Sequence, residues 1–192
     1  MPERNAAALD FLRTRRSTPA KTLAGPVPGR EELTELLEIA ARVPDHGKLE
    51  PWRFVVLEGP ALDRLATAAR VRGTELGQPP DKVAKAEDQL RMADLAVAVI
   101  SSPVESEKVP GIEQLLSGAS VCLSLVNACL AAGWGANWLT GWMTHEPAFA
   151  AEAFGLTDGE TALGLIHIGT PTSAPPERPR PDLGRIVTWV DA

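Results

Sequence analysis

Residues 110–133 read PGIEQLLSGASVCLSLVNACLAAG, and this long apolar stretch decides the fold. Pro110 suits the start of a helix and Gly133 suits its end. The predicted helix has no wide polar face, so we expect it to be buried nearly all round. It is interrupted too often by polar residues to favour a membrane span: Glu113, Gln114, Ser117, Ser120, Ser124 and Asn127. Since so short a chain has little material to wrap such a helix, we expect a homodimer with this helix at its centre.

The stretches on either side predict helices and strands around that helix. Apolar, helically spaced residues predict helices over 3–14, 31–42, 61–72, 81–92 and 146–154. Short apolar runs predict strands over 54–57, 95–100, 134–140 and 161–168, and an edge strand over 185–190. Residues 95–100 are apolar on both faces, which indicates an internal strand. A chain of 192 residues is expected to form one domain, residues 1–192.

Composition excludes several classes of function. The formal net charge is −6, and no basic run accompanies it, which argues against a general nucleic-acid or anionic-membrane binder. Residues 1–10 lack the apolar segment of a secretory signal. Cys122 and Cys129 lie about 10 Å apart along one predicted helix, too far to bridge there. Two buried thiols fit a reducing, cytoplasmic setting.

A loop rich in ligand-binding side chains joins the second predicted helix to the first of these strands, at residues 42–54, RVPDHGKLEPWRF. Two prolines should make it stiff, while Arg42 and His46 supply donors and Trp52 supplies an aromatic face. A binding site and a capped, solvated turn with Trp52 in the core are about equally favoured by this loop alone.

A second cationic motif, Arg15-Arg16-Ser17, follows the first predicted helix. The two arginines could offset the partial negative charge at the end of that helix. Alternatively, two guanidinium groups and a hydroxyl could converge on a phosphate, which arginine binds in a forked geometry.

Several signatures of catalysis by side chains are missing from the sequence. There is no Gly-x-Ser-x-Gly elbow, no histidine or cysteine spacing that suits a metal, and no dinucleotide or Walker loop. We therefore predict no catalytic side chain and no metal site, and favour chemistry carried by a cofactor.

Together with Gly135-Ala136-Asn137-Trp138-Leu139-Thr140-Gly141, these motifs resemble the FMN-dependent nitroreductase family. The likeness extends from Leu9 to Val190, and Val43-Pro44-Asp45-His46 places the chain near the compact branch with a Pro-Asp-His loop. The resemblance implies an α+β fold with a mixed sheet flanked by helices, in an intertwined homodimer with two sites at the interface. It also implies FMN and NAD(P)H as cofactors.

The resemblance assigns cofactor contacts by position. The flavin phosphate would be bound by Arg15, Arg16 and Ser17, and by Arg178 and Arg180 unless these belong to a solvated tail. The flavin ring would lie against Trp138, Leu139, Thr140 and Gly141, although Trp138 could equally be core filling. The pyrimidine end of the ring would face Arg42 or His46, supplied by the partner subunit, with a satisfied surface histidine as the alternative for His46.

The implied activity is NAD(P)H-dependent reduction of nitroaromatic or quinone-like acceptors, by alternating hydride transfer through the flavin. The partners would then be small-molecule substrates and a second copy of the chain, with no nucleic acid and no membrane. A flavin-binding carrier or sensor without turnover is the alternative, and a ligand-binding module without flavin is a weaker one.

Overall fold

The computed structural model describes residues 3–191, which alternate between helices and short strands. The helices are α1 Ala6–Thr14, α2 Arg30–Ala40, α3 Gly59–Glu75, α4 Pro80–Arg91, α5 Gly111–Ala131, α6 Trp142–His145, α7 Pro147–Phe154 and α8 Leu183–Ile186. The strands are β1 Leu23–Ala24, β2 Trp52–Glu58, β3 Leu95–Ser101, β4 Gly135–Leu139 and β5 Thr161–Pro171. The predicted α+β class is confirmed.

The strands form one sheet in the order β1-β5-β3-β2, and β4 also pairs with β5. All these pairings are antiparallel, so the mixed strand directions we expected are not found between paired strands of one chain. The physical reason lies in the α3–α4 helical hairpin, which returns the chain to the end of the sheet that β2 had reached and pairs Glu58 with Leu95. Strands that are apolar on both faces therefore also occur in an antiparallel sheet when helices cover both of its faces.

Two helical layers cover the sheet, and β3 contributes to both sides. All seven residues of β3 are buried, as expected for an internal strand. Val97 and Val99 pack with α2 and α5, whereas Ala96, Ala98 and Ile100 pack with α3, α4 and α7. This alternation follows from the two-residue period of a strand.

The central helix α5 is buried on one side only by its own chain, and burial nearly all round in a homodimer stays a prediction. Ile112 is 60% exposed, Leu116 59% and Leu123 49%. Within residues 3–191, α5 is the one helix long and apolar enough to cross a membrane, and half of its most apolar window is buried in the protein. Its inward face includes Cys122 and Cys129, which are both free, and burial raises the pKa of each thiol to about 12.

The edge strand predicted over residues 185–190 is wrong for the single chain. Asp182 instead caps a short helical turn, since its side chain accepts a hydrogen bond of 3.0 Å from the Gly184 N–H. The residues that follow form no strand, and Trp189 is 87% exposed. An apolar run forms a strand only where a sheet edge pairs with it, and no strand in the described part of the chain pairs with this segment.

Candidate functional site

A cationic pocket lies where the end of α1, strand β4 and the tail after β5 meet. We call it the arginine pocket. Its volume is about 300 Å³. It is lined by Arg15, Arg16, Ser17, Pro19, Asn137, Pro175, Pro176, Arg178 and Arg180. The structure thus brings the motif Arg15-Arg16-Ser17 together with Arg178 and Arg180, which lie near the other end of the sequence.

Backbone hydrogen bonds hold the pocket's walls in place. Thr18 N–H donates to the Ala136 carbonyl at 2.9 Å, which fixes the segment after α1 against β4. Thr172 N–H donates to the Thr22 carbonyl at 2.8 Å, so the tail leaves β5 beside the same segment. Arg180 then reaches back to the carbonyl of Arg13 at 3.3 Å.

The pocket has an excess of positive charge. Arg15 Nη2 donates to Ser17 Oγ at 3.2 Å, but its Nε is buried and has no hydrogen-bond partner among the residues that the structure describes. Burial lowers the pKa of Arg15, and the neighbouring Arg16 and Arg180 lower it further. Four guanidinium groups therefore face a site that can accept an anion.

One carboxylate partly offsets this charge. Glu177 Oε1 lies 3.0 Å from Arg16 Nη1 and 3.2 Å from Arg180 Nη2. The contact with Arg16 is an ion pair but not a hydrogen bond, and Arg16 Nη1 has no hydrogen-bond partner among the described residues. A hydrogen bond from the Arg178 N–H is the largest cause that lowers the pKa of Glu177, and the charges of Arg16 and Arg180 add to it. This acid within the tail is a feature that the sequence analysis missed.

Trp138 stands on β4 with its ring partly in solvent, not in the core. It is 37% exposed, and its indole N–H donates to the Leu163 carbonyl at 3.1 Å. Gly164 of the neighbouring strand β5 has φ of 151°, and a Cβ there would lie 2.6 Å from Trp138 Cδ1 and 2.9 Å from the Leu139 carbonyl. Glycine at position 164 therefore allows the indole to lie against β5. Core filling, the alternative for Trp138, does not describe this exposed ring.

The segment after Trp138 borders a second pocket, which we call the lysine pocket. Its volume is about 260 Å³. It is lined by Gln78, Lys82, Lys85, Ala86, Gln89, Thr140, Gly141, Trp142 and Met143. Asn137 lines the first pocket and Thr140 the second, so about 10 Å of extended chain joins them. A ligand lying along β4 would have one end in each pocket.

The loop at residues 42–54 packs against the N-terminal half of α5, away from both pockets. The Asp45 carboxylate accepts from the N–H groups of Leu49 and Glu50 at 3.3 and 2.8 Å. Ser117 Oγ of α5 donates to the Pro44 carbonyl at 2.8 Å. The loop is therefore a capped turn held against α5, whatever else it binds.

The two loop residues expected at the flavin, Arg42 and His46, are exposed. His46 Nδ1 lies 2.6 Å from Glu113 Oε2. Neither Arg42 nor His46 lines the arginine or the lysine pocket of its own chain. A single chain therefore does not unite all the predicted site residues.

Comparison with known proteins supplies a family context for this geometry. A family model described as Nitroreductase family matches residues 12–170. The Escherichia coli K12 protein named Putative NAD(P)H nitroreductase YdjA is 33% identical over 164 residues, which cover 85% of this chain and 88% of that one.

Two solved structures show the same fold. The nitroreductase-like family protein from Bacillus cereus has a TM-score of 0.80 at 20% identity, over 100% of both chains. A putative nitroreductase in complex with FMN, from Desulfovibrio desulfuricans, has a TM-score of 0.74 at 19% identity, over 98% of this chain and 99% of that one.

Proposed function

The chain belongs to the nitroreductase family, and from this premise we propose that it is an FMN-dependent oxidoreductase that uses NAD(P)H to reduce nitroaromatic or quinone-like acceptors. Residues 1–192 would act as one FMN-binding domain. The observation that carries the proposal is the arginine pocket, with its buried and unpartnered Arg15 Nε.

The residues of the arginine pocket fit the phosphate of FMN. A phosphate dianion prefers forked, charge-assisted hydrogen bonds from arginine. Arg15 offers a buried N–H with no acceptor, and Ser17 offers a hydroxyl beside it. The single carboxylate of Glu177 leaves the four guanidinium groups of the pocket with a net positive charge for a dianion to offset.

The segment 138–141 would hold the ring. A mononucleotide with its phosphate in the arginine pocket would extend along β4 towards Trp138 and Gly141. Gly141 has open space above it, since no atom lies within 4 Å of a Cβ built there. When bound, FMN supplies a two-electron carrier between a nicotinamide donor and an organic acceptor. The protein itself would bind the cofactor, orient its ring and shield the ring from water.

A homodimer would complete the site. The exposed residues Ile112, Leu115, Leu116 and Leu123 recur at helical spacing along α5, and such an apolar stripe normally faces a partner. The loop with Arg42 and His46 packs against the same helix, and both side chains are exposed where a second chain would lie. We propose that each loop contributes to the partner's flavin site. Two free, buried thiols also suit a reducing cytoplasm.

A visible absorption spectrum of the purified protein tests the proposal. We expect bound flavin, released by heat as FMN, that bleaches rapidly with anaerobic NADPH or NADH and recovers on addition of a nitroaromatic acceptor. Flavin that stays oxidised with both donors would contradict the reductase, and a colourless protein that cannot be reconstituted with FMN would contradict the cofactor. Sedimentation of the same sample should give a dimer.

A further inference from the structure

We propose that the lysine pocket is an anion-binding subsite, which holds the carboxylate or phosphate of a small molecule that exchanges electrons at the adjacent site. The inference rests on the proposed function for its redox role. The anionic group would belong either to the electron acceptor or to the nicotinamide that supplies the electrons. The same N–H groups of the pocket would bind it in either case.

Two buried hydrogen-bond donors in this pocket have no acceptor. Trp142 Nε1 and Gln89 Nε2 are each inaccessible to solvent and without a partner among the described residues. Buried donors of this kind are uncommon in folded proteins and call for an explanation. Both residues line the same cavity, so a local shift of their side chains would bring both N–H groups to one acceptor-rich ligand there.

Positive charge accompanies these donors. Lys82 and Lys85 lie three residues apart on α4, which places them on neighbouring positions of one helix face. Neither forms an ion pair within residues 3–191, whereas Glu87 on the same helix pairs with Arg91 at 2.8 Å. No acidic side chain lines the pocket. An anion is therefore the ligand that its charge favours.

The indole N–H of Trp142 is held in position by its surroundings. Gly73 of α3 leaves room for the ring, since a Cβ at that position would lie 3.0 Å from Trp142 Cζ2. The ring of Phe149 packs beside it at a centroid distance of 5.7 Å. Arg72 Nη2 donates to Glu146 Oε1 at 2.9 Å and holds α3 against the start of α7. These contacts hold the ring beside the cavity before any ligand arrives.

Steady-state kinetics with matched acceptors test the role of the charge. The comparison is between 4-nitrobenzoate and 4-nitrobenzyl alcohol at constant ionic strength, in the wild type and in the double variant Lys82→Gln, Lys85→Gln. A rise in KM of about three- to tenfold for 4-nitrobenzoate alone would assign the subsite to the acceptor. A similar rise for the nicotinamide donor would assign it to the donor's phosphate. The matched control is Lys21→Gln, Lys108→Gln, which removes the same charge elsewhere. Equal KM values for all ligands in the two double variants would overturn the proposal.

A second measurement does not depend on flavin or turnover. The ¹⁵N–¹H indole resonance of Trp142, assigned with Trp142→Phe, is followed during titration with sodium benzoate and with inorganic pyrophosphate. We expect it to shift in the wild type and to shift less in the Lys82→Gln, Lys85→Gln variant. A resonance that does not move with either anion would refute the subsite. If the protein proves not to reduce any acceptor, this titration still decides whether the anion site exists.

Discussion

The substitution Arg15→Ala tests the assignment of the arginine pocket most directly. It removes a guanidinium whose Nε is buried without a partner and whose Nη2 donates to Ser17. It also removes a charge that lies close enough to Arg16 and Arg180 for both to lower its pKa. The same change should therefore weaken anion binding and relieve repulsion in the empty protein.

The size of the effect follows from the bonds that would be lost. A hydrogen bond between charged groups contributes about 1.5–3 kcal/mol, which corresponds to roughly 10- to 150-fold in a dissociation constant. Arg15 offers at least one such bond through Nε, and the remaining three guanidinium groups would still attract the phosphate. We expect FMN affinity to fall within that range, while the apoprotein unfolds at the same or a slightly higher temperature.

Reconstitution of apoprotein with FMN, followed by quenching of flavin fluorescence, measures the affinity, and thermal unfolding of apoprotein measures the stability. Arg13→Ala is the matched control, since it removes the same charge two residues earlier at a side chain that does not line the pocket. An Arg15→Ala protein that keeps full flavin occupancy at low FMN concentration would refute the phosphate assignment. A large loss of apoprotein stability would show instead that Arg15 supports the fold.

Three further substitutions test other parts of the structure. Gly164→Ala should displace Trp138 and cost about 1–3 kcal/mol of stability, measured by urea unfolding and near-ultraviolet circular dichroism; an unchanged spectrum would contradict the packing. Burial lowers the pKa of His167 from 6.5 to about 4, so only the unfolded state is protonated between these values. Stability should therefore be full above about pH 6.5 and fall by about 3 kcal/mol towards pH 4, and His167→Leu should flatten that profile in unfolding experiments at several pH values. Glu177→Gln should tighten FMN binding a few-fold in the same titration, because it removes the carboxylate that competes for the pocket; weaker binding would contradict that role.

Much of the fold could be predicted because it depends on local pattern. The helix 110–133 was marked by Pro110, Gly133 and a mainly apolar run without a wide polar face, and it appears as Gly111–Ala131. The strand at 95–100 was marked by apolar residues on both faces, and it is the buried β3. Local sequence did not reveal strand direction, since that depends on the α3–α4 hairpin returning the chain to the same end of the sheet.

The tail shows where pattern alone misleads. Residues 185–190 are rich in β-branched and aromatic side chains, as strands often are. A strand nevertheless needs a sheet edge to satisfy its backbone hydrogen bonds, and within residues 3–191 no strand pairs with this segment. Which face of α5 stays exposed in one chain was not predicted either, because an apolar face looks the same in sequence whether its own chain or a second copy covers it.

By itself, the sequence determined the two cationic ends of the arginine pocket, Arg15-Arg16-Ser17 and Arg178 with Arg180, and the apolar segments that build the core. Only the tertiary structure decided that these ends meet, because backbone bonds to β4 and between Thr172 and Thr22 bring the tail beside the segment after α1. It alone paired Glu177 with Arg16 and Arg180. Arg16 and Glu177 lie near opposite ends of the sequence, so only the folded chain brings their two charges together.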